Sequence, residues 1–287
     1  MSRSAARRRA PFLALITGLY LVWSLAPVLI AVMFSFNDGR SRTNWQGFSL
    51  RWYAGDPLRS VFHDPALQQA VIHTFRLGII VTLITIPLGT LLALGLDRWR
   101  GPIPAGANFL MLLSFVLPEV LLAVSLLFVA TTLTNASWNP VQLGVVGQVI
   151  GLITFQLSYP VIIVRARLLT IGRHYEQAAI DLGASPWGAV RRVLLPMITP
   201  AVIASAVLVF ADVIDNFVIA RYLSGGSTTE PVSVKIYNTA RAAPTPALNA
   251  AATIVLIASM AAVTVGFLLW RWLTRGEPDR GVDAFVG

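Results

Sequence analysis

The chain has no cysteine, one lysine and three scattered histidines among its 287 residues. Without cysteine, neither a disulfide framework nor a thiolate metal site is available. His63, His73 and His174 lack the i, i+4 spacing of a helical zinc pair. The single lysine, Lys235, lies in VSVKIYN, so no G-x-x-x-x-G-K-[ST] loop exists and the chain supplies no P-loop of its own. No His, Cys or Ser constellation supports a membrane-embedded enzyme. Charge is scarce too: 12% of residues are charged, against about 25% in soluble domains, while 56% are hydrophobic.

What is present are long apolar runs. A spanning helix needs about 20 mostly apolar residues. Six stretches qualify, near 12–36, 73–96, 106–133, 143–168, 198–223 and 248–272. The first exceeds a signal-peptide apolar core and lacks a following small-x-small site, so it reads as a retained span after a basic N-terminus at 1–11. Prolines 27, 87, 118 and 160 fall inside spans, where neighbouring groups satisfy the freed carbonyls. With the N-terminus cytoplasmic, 14 of the 22 basic residues fall on the cytoplasmic side, so both termini are expected there. The net charge of +9 is then a topological device, and no nucleic-acid partner is expected. Two long loops, 37–72 and 224–247, face outward with aromatics, Gly and Pro. The tail at 273–287 is polar and expected to be disordered.

One polar segment interrupts this pattern. EQAAIDLGASPWGAVRRVLLP, Glu176 to Pro196, falls on the cytoplasmic side. It reads as two short helices. The first runs near Tyr175–Leu182 and stops at Gly183, which takes the left-handed conformation easily. Ser185 caps the second and Pro186 opens it. Pro196 is expected to end it, with Pro200 opening the next span. Ala178 and Ala179 give the first helix a thin side, Gly183 permits close approach, and Arg191 and Arg192 offer charge. A surface helix resting on lipid headgroups has the same pattern.

This segment resembles the cytoplasmic loop E-A-A-x-x-x-G of bacterial type I ATP-binding-cassette importer permeases. The motif maps onto Gln177, Ala178, Ala179 and Gly183, with Gln177 in place of Glu and Glu176 just before it. The resemblance continues through ASPWGAVRRVLLPMITPA. Further stretches in order, SFNDGR, WQGFSLRWY, PALQQAV, VLPEVLLAVSLLF, DNFVIARYLSGG and TPALNAAATI, resemble the polyamine permeases of the spermidine/putrescine type, the subunit called C. The family often has two adjacent Asp where this chain has Asp215 and Asn216, and an apolar residue where it has Asp212.

The resemblance implies an all-α integral membrane protein with six transmembrane helices in the type I importer permease fold, the permease domain covering 67–272. It implies that loop 169–197 couples to the ATPase through Glu176, Gln177, Ala178, Ala179, Asp181, Gly183, Ala184, Ser185, Pro186, Trp187 and Arg191. The implied partners are a second homologous permease, an ATPase dimer holding ATP and Mg, an extracytoplasmic substrate-binding protein docking on the two outer loops, and membrane lipid. The chain itself would be non-catalytic and bind no cofactor, in the bacterial inner membrane.

A polyamine cargo needs carboxylates or aromatic faces along its path. Glu119, Asp212 and Asp215 are the acidic residues within apolar spans, and Asp212 and Asp215 share a helix face at i, i+3. Tyr159, Phe155, Phe210 and Phe217 offer cation–π faces. Other roles stay open. Glu119 can satisfy groups freed by Pro118, Asp215 can pair with Arg221, and the aromatics can simply pack. Thiamine, ferric iron or an anion are alternative cargoes, although the spans lack the central arginine an anion favours. An ion-gradient transporter would use Glu119 and Asp212 as proton or sodium sites, but has no use for a docking loop.

Overall fold

The computed structural model describes residues 3–41, 43–99, 101–132, 142–242 and 245–273. Arg100 and the expected disordered tail from 274 onward lie outside the described residues. Regular structure among the described residues is helical, apart from one antiparallel bridge between Asn37 and Phe48. The chain divides into two compact units, residues 1–68 with 235–254, and residues 69–234 with 255–287.

The first unit begins with α1, Arg3–Ser35, whose apolar stretch from Phe12 is exposed over most of its length and is buried only at Phe34 and Ser35. Such a surface is stable only in lipid or against another apolar helix. The chain after it folds around buried polar anchors. The Trp52 indole, 1% exposed, donates to the Asn37 carbonyl at 2.6 Å. The Asn37 side chain in turn donates to Ser41 and Asn44 carbonyls and accepts from the Gln46 amide. Asp56 gathers the Arg51 guanidinium and the Leu58 and Arg59 amides. The described residues 36–41 and 43–64 therefore form a built surface rather than a tether.

The second unit holds most of α2, Pro65–Arg98, whose first turn is capped by Asp64 through the Ala66 amide at 2.8 Å. It continues with α3, Pro102–Val116; α4, Glu119–Thr132; α5, Val145–Gln156; α6, Ser158–Ile171; α7, His174–Asp181; α8, Pro186–Ala189; α9, Leu195–Asp215; and α10, Val218–Tyr222. Later come α11, Val232–Ala242, and α12, Pro246–Leu273, each running across both units. Among the described residues five stretches are long and apolar enough to cross a membrane: Phe12–Ser35, Pro65–Arg98, Val145–Ile171, Pro186–Asp215 and Pro246–Trp272.

The differences from the sequence reading lie at prolines and helix ends. The stretch read as one span at 106–133 is two helices, because Leu117 is extended (φ −62, ψ 136) ahead of Pro118. Proline disfavours the helical conformation in the residue before it. Pro196 does not end the helix after Ser185. Residues Val190–Leu194 form one π-turn and the helix runs on through Pro196 and Pro200 to Asp215. Widening the turn accommodates the carbonyl that Pro196 leaves without its i+4 donor. The expected span to 223 stops at Asp215, because Asn216 is extended and α10 is separate. The α2 helix starts at Pro65 rather than 73, and the loop read at 224–247 contains α11.

Two apolar clusters hold this unit. One joins Ala93, Leu96, Met111, Val161, Val164, Val190, Leu194 and Ile198, with α6 packed on α9. The other joins Leu77, Val81, Ala123, Leu152, Val209, Val213, Ile219 and Leu223. Close approach requires glycine at one crossing: a Cβ on Gly89 would lie 2.4 Å from Cγ of Pro160.

The Asp56 hub in the first unit responds to acid. The Leu58 amide, the Arg51 guanidinium and the Arg59 amide hold its carboxyl below the usual carboxylate range, against the opposing effect of burial. A depressed carboxyl stabilises above its unfolded pKa, and the contribution is lost as pH falls through the folded value. Protection of the Leu58 and Arg59 amides, taken relative to the intrinsic exchange rate at each pH, is expected to fall on acidification, and Asp56→Asn is expected to remove that dependence. Equal acid sensitivity in the variant would exclude Asp56 as the responsible group.

Candidate functional site

Two sets of residues stand out in the second unit. The first is the polar segment after α6. Gly172 (φ +69) ends α6 and turns the chain into α7. At the end of α7 the Ala184 amide donates to the Ala179 carbonyl at 3.0 Å and the Gly183 amide to Ile180 at 2.8 Å. This is a Schellman closure, and it places Gly183 at φ +90. Ser185 Oγ then accepts from the Gly188 amide at 3.1 Å, with Pro186 at the first position of α8. A C-cap followed at once by an N-cap makes a tight, rigid corner.

That corner faces outward. Gln177, Ala178, Asp181, Gly183, Ser185 and Pro186 are exposed, Leu182 is 91% and Trp187 69% exposed, and Ala179 and Ala184 are half-buried. A Cβ built on Gly183 meets nothing, so the site is open to a partner. Arg191 is exposed on the following π-turn. Glu176 behaves differently. Its two oxygens accept from Arg98 Nη2 at 2.7 and 2.6 Å, and Arg173 donates to the Asp97 carbonyl at 2.8 Å. Glu176 thus ties the segment to the end of α2 and is not a free carboxylate replacing the Glu that Gln177 lacks.

The second set lies where helices break. Glu119 opens α4 just after the Pro118 break, Gln156 closes α5, and Asn216 terminates α9. The Asn216 side-chain amide donates to Glu119 Oε1, and the Gln156 amide donates to Asp212 Oδ2. Tyr159 packs edge-on against Phe115 and Phe155 at 5.7 and 6.4 Å between ring centres. It lies within electrostatic reach of both Asp212 and Glu119. The carbonyl oxygen of the buried Gln156 side chain has no partner among the described residues. Two carboxyls, an unmet acceptor and an aromatic face therefore converge from α4, α5, α6 and α9.

The structure does not treat all the acidic candidates alike. Asp212 is half-buried, whereas Asp215, the last residue of α9, is exposed. Arg221 lies 4.0 Å from Glu230, not against Asp215. Phe217 is half-buried at the start of α10. Sequence reasoning passed over Gln156 and Asn216. It also passed over Gln148, which is fully buried, donates to the Ala220 and Thr229 carbonyls and meets His73 Nε2 at 2.8 Å. The available signal was a primary amide inside an apolar run, since such a group needs an internal partner in a membrane. Among the described residues no cluster of metal-binding side chains occurs.

Residues 85–277 match the family described as "Binding-protein-dependent transport system inner membrane component". The chain belongs to this family. It is the membrane permease component of an ABC importer, situated in the inner membrane, and ATP hydrolysis belongs to a partner ATPase. The permease is 34% identical to the "Putrescine transport system permease protein PotI" of Escherichia coli (strain K12), over 95% of this chain and 94% of that one. It is 32% identical to the "Spermidine/putrescine transport system permease protein PotC" of the same strain, over 88% and 90%. A chain of a bacterial ABC transporter involved in import of the polysaccharide alginate shares its fold, with a TM-score of 0.73, 16% identity and coverage of 94% and 98%. The MetNI methionine ABC transporter also shares it, with a TM-score of 0.55 over 72% and 94%.

Removing one partner of a buried polar pair leaves the other unmet, at about 1–3 kcal/mol. Asn216→Ala is expected to lower the thermal unfolding midpoint of the detergent-solubilised permease. Glu119→Ala in the same chain is expected to recover part of that loss, because no orphan then remains. Strictly additive losses in the double variant would show that the pair contributes nothing.

Proposed function

We propose that this permease forms half of the translocation path of an ATP-driven polyamine importer, and that Glu119, Asp212 and Tyr159 face the cargo. The observation that carries the reading is the convergence of two carboxyls and an unmet Gln156 acceptor where three helices break. Ionisable groups inside a membrane face a bundle interior or a wet cavity. An alkylammonium group is a donor that such a site can bind, with Tyr159 adding a cation–π face. The names of the similar permeases from Escherichia coli, concerning putrescine and spermidine, point to the same cargo class. Asp215 and Phe217 are read as lying further along the path, at the end of α9.

In this reading the chain has six spans, α3 and α4 together forming the third, with both termini cytoplasmic. A second homologous permease completes the path. An ATPase dimer binds ATP and Mg and engages Gln177, Ala178, Ala179, Asp181, Gly183, Ala184, Ser185, Pro186, Trp187 and Arg191. The Arg98–Glu176 pair and the Arg173–Asp97 contact transmit its movement to α2. The α6 helix, which starts beside Gln156, runs directly into the coupling corner. An extracytoplasmic binding protein delivers cargo to the surfaces at 36–64 and 224–247.

Gly183→Asp places a side chain at φ +90 and projects it from the docking corner. Cargo-stimulated ATP hydrolysis by the reconstituted complex is expected to fall to the basal rate while the subunits still co-purify. Normal stimulation would remove this corner from the coupling role. Asp212→Asn is expected to reduce polyamine uptake about tenfold at unchanged membrane abundance, the scale of one lost charge-assisted contact. Unchanged uptake would remove Asp212 from the path.

A further inference from the structure

A basic cavity lies beside the first of the two sets of residues described above, sharing Asp97, Gly172 and Arg173 with its attachment to α2, and contains none of the exposed corner residues. It has a volume of about 510 Å³ and opens between the end of α2, the start of α3 and the last turns of α6. Arg165, Leu168, Leu169, Gly172 and Arg173 line it along one side. Their spacing of three and four residues puts them on one face of α6 and its continuation. Asn108 and Trp99 line it from across the opening.

The charges in it are incompletely matched. Among the described residues no carboxylate pairs with Arg165. Its Nη1 donates to the neutral Asn108 side chain, and its buried Nε has no partner. The Arg173 guanidinium donates to the Asp97 carbonyl and stands 3.8 Å from the Asp97 carboxylate, so the lining holds two guanidinium groups against one acid, which stands beside Arg173. The walls are mixed in character: Leu169 is 70% exposed and the Trp99 ring 59% exposed. Two guanidinium groups suit a phosphate, exposed leucine suits an acyl chain, and tryptophan favours the headgroup level. Basic pockets between membrane helices on the cytoplasmic side bind anionic headgroups for the same reasons.

We propose that this cavity is a binding site for a phosphate-bearing anion, and specifically for the headgroup of an anionic phospholipid of the cytoplasmic leaflet. Arg165 and Arg173 hold the phosphate, and Leu168, Leu169 and Trp99 flank the glycerol and the first acyl carbons. The site adjoins the Arg173–Asp97 contact that tethers the coupling corner. A bound lipid therefore steadies that corner against the membrane surface. The assignment rests on the reading of residues 165–196 as cytoplasmic.

The test uses the assembled transporter purified in mild detergent. Native mass spectrometry follows titration with phosphatidylglycerol, with phosphatidylcholine and with inorganic phosphate. The expected result is one tightly retained phosphatidylglycerol per chain, weakened about fivefold by Arg173→Gln and about thirtyfold when Arg165→Gln is added, with phosphatidylcholine unaffected. Arg173 is half exposed, so its variant keeps the site testable if Arg165→Gln does not fold. Equal phosphatidylglycerol retention by wild type and variants overturns the site. Displacement of the lipid by millimolar inorganic phosphate overturns the lipid and assigns a free anion. A cavity that takes lipid only after the ATPase is stripped away is a protein contact, and that result overturns the proposal too. The absence of native cysteine allows a separate check of sidedness with Ser185→Cys and an impermeant maleimide. Labelling from outside the cell would sink the cytoplasmic assignment, whatever the lipid result.

Discussion

A polar group placed in hydrocarbon must find its partner inside the protein, and most of this structure follows from that constraint. Gln148 meets it by reaching two carbonyls and a histidine, and so fastens the start of α5 to the chain after α10. Gln156 and Asn216 meet it through the carboxyls of Asp212 and Glu119. Because these bonds join helices distant in the chain, each of these three amide side chains also sets a tertiary contact. Among the described residues the exceptions are the hydroxyls of Thr82, Thr85 and Thr90, Nε of Arg165 and the Gln156 carbonyl oxygen, and the last lies where the proposed cargo path runs.

Prolines decide where the spans give way. Pro118 extends Leu117 and separates α3 from α4, and Pro160 deprives the carbonyl of Gln156 of its usual helical donor. Glu119 and Gln156 are carried to helix ends by these breaks. A carboxyl at the first turn of α4 also sits at the favourable end of the helix dipole. The same residue type has a different outcome at Pro196, where a π-turn absorbs the defect and the helix continues. Continuity there joins the corner at Gly183 and Ser185 to α9, which carries Asp212.

The corner at Gly183 and Ser185 obeys local rules and its attachment does not. Gly183 and Ser185 specify a C-cap and an N-cap two residues apart, and these caps are local hydrogen bonds within one stretch of chain. The corner was therefore legible from EQAAIDLGASPWG alone. The Arg98–Glu176 pair spans 78 positions in the chain, and no pattern in either neighbourhood announces it. The same separation explains why Glu176 looked available to a partner and is instead committed to α2.

The sequence by itself determined the helical, membrane-embedded class, because length and apolarity of a run decide that without reference to neighbours. It also determined the corner at Gly183 and Ser185, through local caps, and the candidate acids Glu119, Asp212 and Asp215, since charge inside an apolar run is visible in one dimension. Only the tertiary structure decided which of those acids is paired and which is exposed, and that amide side chains at 156 and 216 are the partners. It alone decided that one proline breaks a helix and another does not, and that Arg165 and Arg173 share a cavity with Trp99. These outcomes depend on which groups the packing of helices brings within about 3 Å of one another, a distance that sequence spacing does not encode across separate helices.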